Sequence, residues 1–398
     1  MKILVLSKHY YPEPFTITEI CEELVRRGHD VLVVTGKPHY GLGRILEGYE
    51  KVENETINGV RIHRVDIIPR TKGKKSIIDN YLSYWKNSKR YIKKMKEEFD
   101  VVFSIVCSPI ISASAGNIYA KKHHIKHVHH CMDLWPESVV ATGMIRKNSL
   151  LYKIIYSWSK KIYKGMDHIL ISSPSFKKYF DDVLKIKDKE ITYMPQPALL
   201  AKQVGSDLSF ENKYNIIYEG NVGFLQLVEN FISALPLVKG KYDLKFHIIG
   251  HGERMEEAKE LAKKEGVMDM VIFHGKLSKS ECLRYHKNCT GFLCSLHNDG
   301  WVGNTIPNKV TSSLKEGKPI LGIIQGDGKK LLEEAGGSVF AKDESKESIA
   351  LAIEELLNKS EEERKAMGEA NRKFYEDNLD FKKIVDELEN HLINASKK

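Results

Sequence analysis

Short apolar runs alternate with amphipathic stretches along most of the chain, and this alternation predicts repeated β-α-β units. The run KILVLS at 2–7 precedes a stretch at 18–28 whose apolar positions recur with the period of a helix. The same order continues to DHILISS at 167–173, and it starts again at YNIIYEGNVG at 214–223. Because strands and helices alternate, each half of the chain is predicted to contain a parallel sheet.

A chain of 398 residues is too long for one hydrophobic core, so the pattern predicts an α/β protein with two Rossmann-like, doubly wound domains. The first domain is placed at 1–195, an aperiodic linker with few helix or strand signals at 196–213, and the second domain at 214–374. The helical tail at 375–398 is a candidate to pack back on the first domain. Two such domains are expected to face a central cleft at the carboxyl ends of their strands.

The composition is that of a globular protein, with 42% hydrophobic and 29% charged residues. The apolar run at the N-terminus is too short for a signal peptide, and no run has the length of a membrane-spanning helix. Six cysteines are scattered without a Cys-x-x-Cys pair, which predicts reduced, buried thiols in a cytosolic protein. No metal site is predicted.

The excess positive charge is confined to one segment. Ten of the 62 basic residues and one of the 53 acidic residues lie between Arg70 and Lys96, so the rest of the chain is neutral. The segment is predicted to form an amphipathic helix whose apolar face contains Ile78, Leu82, Trp85, Ile92 and Met95. Its charged face is open to three interpretations, namely a solvated surface, an anionic membrane or a nucleic acid. The residues assigned to membrane contact are Lys74, Lys75, Tyr84, Trp85, Lys86, Lys89, Arg90 and Lys93.

Several motifs occur in an order that resembles one family. They are YYPEP at 10–14, LVRRGHDVLVVTGKPHY at 24–40, MDLWPES at 132–138, FHIIGHGE at 246–253 and IPNKVTSSLKEGKPIL at 306–321. Together they resemble the GT-B glycosyltransferases, specifically the retaining family 4 and its branch of WbuB-like bacterial surface-polysaccharide amino-sugar transferases. The ordered set spans nearly the whole chain.

This resemblance implies transfer of a sugar of the N-acetylated amino-sugar class from a UDP-sugar to a lipid-linked saccharide. It implies no metal cofactor, so helix N-termini and basic side chains must stabilise the leaving diphosphate. The sequence departs from the common family pattern at four positions. Asn221 and Gln226 stand where the family has Arg and Lys, and Asn304 and Ser312 stand where it has paired glutamates.

The helix that opens in IPNKVTSSLKEG is the expected site of the donor diphosphate. Asn308 is predicted to be its N-cap, with the amides of Lys309, Val310 and Thr311 free to bind an anion. Lys309 is either the replacement for the missing cations or a plain surface lysine. The glycine turns are either donor contacts or ordinary tight turns. The remaining donor candidates are Gly220, Asn221, Gly223, Gly250, His251, Gly252, Gly275, Asn304, Pro307 and Ser312.

The acceptor side is expected in the first domain. Asp133 and Glu137 of DLWPES are the candidate catalytic carboxylates, to orient the acceptor or accept its proton. The alternative for Asp133 is the N-cap of a short helix that Pro136 opens. The other acceptor candidates are Glu13, Thr16, His39, Tyr40 and Trp135.

A polyprenyl-diphosphate saccharide would require the enzyme to lie peripherally on the inner face of the cell membrane, which favours an anionic membrane as the partner of the basic helix. No nucleic-acid motif accompanies it. Two other functions remain open: a UDP-sugar 2-epimerase of the same fold, and a non-catalytic protein that binds anionic polymers or membranes.

Overall fold

The computed structural model describes residues 1–71, 73–106, 108–200 and 205–397, which fall into two compact units. Unit 1 comprises Met1–Pro195 and the C-terminal helix from Phe381, and unit 2 comprises Gln196–Asp380. The first boundary therefore lies at residue 195, and the return to unit 1 starts at Phe381 rather than at residue 375. Lys72 of the basic segment, Cys107 and residues 201–204 of the predicted linker lie outside the described residues.

Unit 1 is built on an eight-stranded sheet of order β3-β4-β2-β1-β5-β6-β7-β8, in which β3 alone runs antiparallel to its neighbour. Its elements are β1 Lys2–Leu6, α1 Ile17–Arg26, β2 Asp30–Gly36, β3 Asn54–Ile57, β4 Val60–Val65, α2 Lys74–Lys94, β5 Val101–Val106, α3 Ser114–His123, β6 Lys126–Cys131, α4 Glu137–Ala141, α5 Leu150–Lys164, β7 His168–Ile171, α6 Phe176–Lys178, β8 Glu190–Tyr193 and, after unit 2, α14 Phe381–Ser396.

Alternation along β1 explains the layers of unit 1. Ile3 and Val5 face a core shared with α1 and α14, whereas Leu4 and Leu6 face a core shared with α2 and α3. The sheet is therefore covered on both faces, as parallel sheets are.

Unit 2 contains a six-stranded, fully parallel sheet of order β11-β10-β9-β12-β13-β14. Its elements are β9 Tyr214–Asn221, α7 Val228–Val238, β10 Leu244–His251, α8 Met255–Lys264, β11 Val271–Gly275, α9 Lys279–His286, β12 Gly291–Ser295, α10 Asn308–Glu316, β13 Ile320–Ile323, α11 Gly326–Ala335, β14 Ser338–Phe340, α12 Lys346–Asn358 and α13 Glu361–Asn378. Ile216 and Tyr218 of β9 pack on the face that α7, α8 and α12 cover, and Ile217 packs on the opposite face.

The C-terminal helix α14 completes the core of unit 1. Its residues Phe381, Ile384, Val385, Leu388 and Leu392 are buried against β1, β2 and α1. At the rim, Glu389 accepts hydrogen bonds from Arg27 Nη1 at 2.7 Å and from His29 Nε2 at 2.6 Å. Within the described residues, no helix has the combined length and apolar character that crossing a bilayer would require.

Helix α2 buries a different face from the one that its apolar residues predict. Asn80, Tyr84, Ser88 and Ile92 are buried, whereas Ile78 is 48% exposed. The buried polar groups are paired, since Asn80 Nδ2 donates to Ile68 O and Ser88 Oγ donates to Tyr84 O, both at 2.7 Å. Tyr84 is wholly buried and donates to Val34 O, so its assignment to membrane contact is wrong.

Candidate active site

Helix α10 begins at the carboxyl edge of the second sheet, one residue earlier than the sequence predicts. Pro307 is the N-cap and Asn308 is the first helical residue, whose Oδ1 accepts a hydrogen bond from Thr311 Oγ1 at 3.1 Å. The Val310 amide donates to Pro307 O at 2.9 Å, and the Val310 side chain is wholly buried. The predicted cap and the predicted free amide of Val310 are therefore wrong. Asn308 and Lys309 are the first two helical residues, and amides at such positions have no acceptor within their own helix.

The side chain of Lys309 is directed at the turn that follows β9. Its Nζ donates to Tyr218 Oη at 2.8 Å and lies 4.1 Å from the centre of the Tyr218 ring. Tyr218 Oη donates in turn to Asn221 O. Burial lowers the pKa of Lys309 to about 8, against the opposing influence of Cys294 and Glu219. Lys309 is thus held in place as a partly desolvated cation. The alternative prediction, that Lys309 is an ordinary surface lysine, is therefore wrong.

Asn221 and Gln226, which replace the family's two cations, contact each other. Asn221 Nδ2 donates a hydrogen bond of 3.3 Å to Gln226 Oε1. A Cβ atom on Gly223 would stand 2.7 Å from that Gln226 oxygen and 2.8 Å from the Asn221 nitrogen. Gly223 therefore provides the space for a neutral amide pair at this turn.

A cluster of charged side chains that the sequence analysis missed lies beside Lys309. Glu219 accepts from Lys279 Nζ at 2.9 Å and from His286 Nε2 at 3.0 Å, while His286 Nδ1 lies 3.2 Å from Glu316 Oε2. These four residues and Lys309 line one cavity of about 270 Å³, together with Gly220, Pro307, Asn308 and Ser312. The available signal was Ser278-x-x-Glu281 directly after β11, a capping box that sets Lys279 at a helix start.

The cluster fixes the charge of each member. Burial opposes ionisation of Glu219, but the His286 hydrogen bond and the Lys279 charge lower its pKa to about 2. Burial also disfavours the protonated form of His286. The hydrogen bonds and charges of Glu219 and Glu316 outweigh this effect and raise the pKa of His286. The pKa of Lys279 is raised by Glu219 in spite of burial. Two carboxylates are therefore neutralised, and Lys309 contributes additional positive charge to the same cavity.

Gly250 near the end of β10 and Gly252 just after it allow close packing against the chain at the end of β9. A Cβ atom on Gly250 would lie 1.8 Å from Gly220 O, and one on Gly252 would lie 2.0 Å from Val222 O. The close approach of the two backbones requires glycine at both positions, an explanation that neither predicted alternative contained. His251 is exposed at the end of β10, and Gly275 ends β11. Asn304 lies in a short 3-10 turn, Val302–Asn304, against which the Gly326 backbone packs.

Asp133 follows β6 at the carboxyl edge of the first sheet. Trp135 Nε1 donates to Ser108 Oγ at 3.0 Å, and Ser108 Oγ donates to Asp133 Oδ2 at 3.1 Å. Burial raises the pKa of Asp133 to about 7, although the Ser108 hydrogen bond and the charge of Lys8 both act to lower it. The short helix α4 starts at Glu137 after the N-cap Pro136, so the alternative of Asp133 as its cap is wrong.

Glu137 and Trp135 are interior residues. Glu137 is 5% exposed, and its Oε1 accepts a hydrogen bond from Tyr152 Oη at 2.8 Å. Asp133 precedes α4, so it does not share a helical face with Glu137. We therefore remove Glu137 from the catalytic candidates. Trp135 is buried and acts on Asp133 through Ser108, which is a positioning contact and not an acceptor contact.

The loop after β1 is organised around Glu13. Its Oε1 accepts from the amides of His39 and Tyr40, each at 2.6 Å, and its Oε2 accepts from His9 Nδ1 at 2.6 Å. His39 is buried: Nδ1 donates to Lys37 O at 2.9 Å and Nε2 accepts from Asn80 at 2.9 Å. Thr16 is buried at the start of α1. Of the predicted acceptor contacts in the loops after β1 and β2, Tyr40 alone is well exposed, at 45%.

Two family models match consecutive parts of the chain. The model described as Glycosyltransferase Family 4 matches residues 15–198, and the model described as Glycosyl transferases group 1 matches residues 202–374. The solved structure of Anabaena HepE in complex with UDP and glucose superposes with a TM-score of 0.70 at 12% identity. That superposition covers 99% of this chain and 100% of HepE. The chain belongs to the GT-B glycosyltransferases.

The sequence of this glycosyltransferase is also similar to curated relatives. It is 26% identical over 216 residues to a probable glycosyltransferase, WbjE, of Pseudomonas aeruginosa, a match that covers 51% of the chain and 53% of WbjE. The chain thus spans about half the length of WbjE. It is 22% identical over 298 residues to WcaI of Escherichia coli, a putative colanic acid biosynthesis glycosyl transferase, over 69% of the chain and 71% of WcaI. These relatives are consistent with a role in polysaccharide biosynthesis.

Proposed function

We propose that this glycosyltransferase binds the diphosphate of a UDP-sugar in the unit 2 cavity and transfers the sugar to a lipid-linked saccharide. The observation that carries the proposal is the convergence of Lys309 and Lys279 on the start of α10. Their Nζ atoms are held by Tyr218 and Glu219, respectively. The complex of HepE with UDP and glucose supports a UDP-sugar as the donor class.

The charge balance of the cavity fits a diphosphate. A cation at a helix N-terminus is unfavourable by about 0.3–1 kcal/mol, and the lowered pKa of Lys309 shows its incomplete solvation. A diphosphate would relieve both effects and would accept hydrogen bonds from the Asn308 and Lys309 amides. The chain's own cations supply the charge stabilisation, so we propose that transfer requires no metal at the diphosphate.

On the acceptor side, we assign the catalytic carboxylate to Asp133. As the acceptor oxygen bonds to the anomeric carbon, the bond from that carbon to the diphosphate oxygen breaks, and Asp133 takes the acceptor proton. A carboxylate whose pKa is about 7 is well matched to proton transfer near neutral pH. The proposed retention of anomeric configuration rests on the resemblance to family 4.

The membrane proposal gains a second surface on α5. Leu150, Leu151, Ile154 and Trp158 form an exposed α5 apolar face, with exposures of 77% for Leu150 and 56% for Trp158. Leu150, Ile154 and Trp158 follow the i, i+4, i+8 spacing of one helical stripe. Lys153 and Lys161 flank it and are exposed. An apolar stripe with tryptophan and flanking lysines suits the interface of an anionic bilayer.

Helix α5 lies close to the basic helix α2. The 3-10 turn Ile110–Ala113 packs against both helices, and Trp85 Nε1 donates to Ser114 Oγ next to that turn at 2.9 Å. Lys74 Nζ lies 3.5 Å from Gly143 O, in the loop that leads towards α5. We therefore propose that α2 supplies charge and α5 supplies apolar contact on one surface, docked to the inner face of the cell membrane.

The first test combines nucleotide binding with turnover. We expect UDP to bind the purified protein and UDP-sugars to release UDP only when a lipid-linked saccharide is added. Conversion of UDP-N-acetylglucosamine without an acceptor would instead show an epimerase. If no uridine nucleotide binds by calorimetry, the proposed donor is wrong.

The second test is flotation with vesicles. We expect binding to vesicles that contain phosphatidylglycerol, and weaker binding to neutral vesicles and at high salt. Leu150→Ser combined with Trp158→Ser should reduce the bound fraction strongly. The matched control is Leu351→Ser, which changes a leucine of α12 in unit 2 that is 66% exposed. Equal flotation of the α5 variant and the control would exclude the α5 apolar face.

A further inference from the structure

Two histidines and a glutamate meet at the edge of the first sheet opposite to Asp133. His168 is the first residue of β7 and Glu190 is the first residue of β8, and the two are register partners. His391 comes from the C-terminal helix α14 and crosses His168 edge to face, with ring centres 4.7 Å apart. Because β7 and β8 start here, this group lies at the amino edge of the sheet, away from the candidate active site.

The ligand atoms of these three side chains are close to metal-binding distances. They all lie within 4.8 Å of one another, and His168 Nε2 is 3.7 Å from Glu190 Oε1. Two ligand atoms of a tetrahedral zinc ion with bonds of about 2.0–2.1 Å are separated by about 3.3 Å. The ligand atoms would therefore have to approach one another by at most about 1.5 Å to reach that separation, and Glu190, one of the three, is an exposed side chain.

One ring nitrogen of His391, Nε2, is buried without a hydrogen bond from any residue that the structure describes. Its nearest recorded carboxylate is Glu387 Oε1, at 3.7 Å and one helical turn earlier. Buried polar atoms are normally hydrogen-bonded, so a bound ligand would account for this nitrogen.

We propose that His168, Glu190 and His391 bind a zinc ion that fastens α14 to the first sheet, with Glu387 or water as the fourth ligand. Two imidazoles with one or two carboxylates are a donor set that zinc accepts readily. His168 Nε2 is 3.0 Å from Thr192 Oγ1, so metal binding exchanges that hydroxyl for zinc. The cysteine pattern held no sign of this site, because its ligands come from three distant segments.

Direct binding tests the site without any reference to glycosyl transfer. Chelator-treated protein is titrated with zinc chloride by calorimetry, and cobalt is used as an optical probe. We expect one zinc per chain, absorption bands of four-coordinate cobalt, and a rise in the melting temperature of about 5 °C at a hundredfold excess over Kd. Full-length protein that shows no saturable zinc site would overturn the proposal.

Variants assign the ligands. His391→Ala and Glu190→Gln change partly or largely exposed side chains, and each should lower zinc affinity at least tenfold. Thr192→Val removes the competing hydroxyl and should leave the affinity equal or higher. His124→Asn is the control for adventitious binding by an exposed histidine, since Asn tolerates the positive φ of 56° at that position. Unchanged affinity in His391→Ala, or a loss in His124→Asn as large as in His391→Ala, would exclude the proposed ligands.

Discussion

The ammonium group of Lys309 donates a hydrogen bond of 2.8 Å to the phenol oxygen of Tyr218, and the phenol O–H donates in turn to Asn221 O. The lysine is thereby attached to the turn after β9, where the family pattern places its cations. The charge is supplied from α10 instead of from the turn itself.

Removal of the Lys309 charge should weaken UDP binding without unfolding the protein. For Lys309→Met we expect a Kd for UDP that is about 10–100 times higher, because one charge-assisted contact to phosphate is worth about 1.5–3 kcal/mol. Calorimetry measures the affinity, and circular dichroism checks the fold. Lys330→Met, an exposed lysine of α11, is the control. Equal Kd values for the two variants would place the diphosphate elsewhere.

The affinity for UDP should fall as the pH rises through 8. Burial lowers the pKa of Lys309 to about 8, and an anion binds its protonated form. Between pH 7 and pH 9 the protonated fraction falls about tenfold, so Kd should rise by about the same factor. Lys309→Arg keeps its charge over this range and should show a much flatter profile. A wild-type profile parallel to that of the arginine variant would contradict the assignment.

The pH dependence of kcat/KM should report Asp133. We expect activity to rise with pH and to level off above about 7, since the ionised carboxylate is the base. Asp133→Asn should remove most activity. Ser108→Ala removes the hydrogen bond that lowers the pKa of Asp133, so that pKa should rise. The rising, acid side of the kcat/KM profile of this variant should therefore move to higher pH.

Ser138→Ala is the control for the Ser108 substitution, because the Ser138 hydroxyl donates to Leu134 O in the same segment. Its profile should match the wild type. An unmoved acid limb in Ser108→Ala would show that another group sets the profile.

Substitution of Glu13 should disturb the loop that carries Tyr40. Glu13→Gln presents an amide N–H to His9 Nδ1, a nitrogen that now donates to the carboxylate. We expect a loss in the free energy of unfolding of about 1–3 kcal/mol and a larger rise in KM for the acceptor than fall in kcat. Urea unfolding and acceptor titrations measure these. Glu47→Gln, an exposed residue of the same loop region, should change neither.

The contribution of Glu219 to stability should be greatest near pH 5–6. Its folded pKa of about 2 lies below the unfolded value of 4.5, so its stabilisation is present above 4.5 and is lost as the pH falls towards 2. The raised pKa of His286 acts oppositely, with stabilisation that is present below 6.5 and lost as the pH rises through the folded value. The difference in unfolding free energy between wild type and Glu219→Gln should therefore be largest at pH 5–6 and should decline at both lower and higher pH. A flat difference across pH 3–8 would contradict this coupling.

The α/β fold with two Rossmann-like domains was predictable from the sequence and is confirmed. Its central strands are continuous apolar runs, a pattern that buried parallel strands require. Two strands were not predicted, namely β3 (NETI) and β8 (EITY). Both lie at the edges of the sheet, where only part of a short strand is buried, so their apolar pattern is weak. The buried face of α2 was misassigned because Asn80 and Ser88 are paired inside the protein, which hydrophobic spacing cannot show.

The candidate site was predictable only in part. Lys309 and Asp133 were singled out in the sequence because motifs mark strand ends and helix starts, where parallel sheets place their ligands. Lys279, Glu219, His286 and Glu316 were missed because a charged residue becomes informative only when its partner is known. His39 and Glu137 were overvalued for the same reason, since their partners, Asn80 and Tyr152, are 41 and 15 residues away.

Helix α14 also bears on the order in which the molecule forms. The core around β1 is completed by Phe381, Leu388 and Leu392, which a ribosome adds after all of unit 2. Until then β1, β2 and α1 expose the apolar surface that α14 will cover. Unit 1 is therefore synthesised first but completes its core last. A chain whose synthesis ends within unit 2 would lack α14, and the core of its unit 1 would stay open.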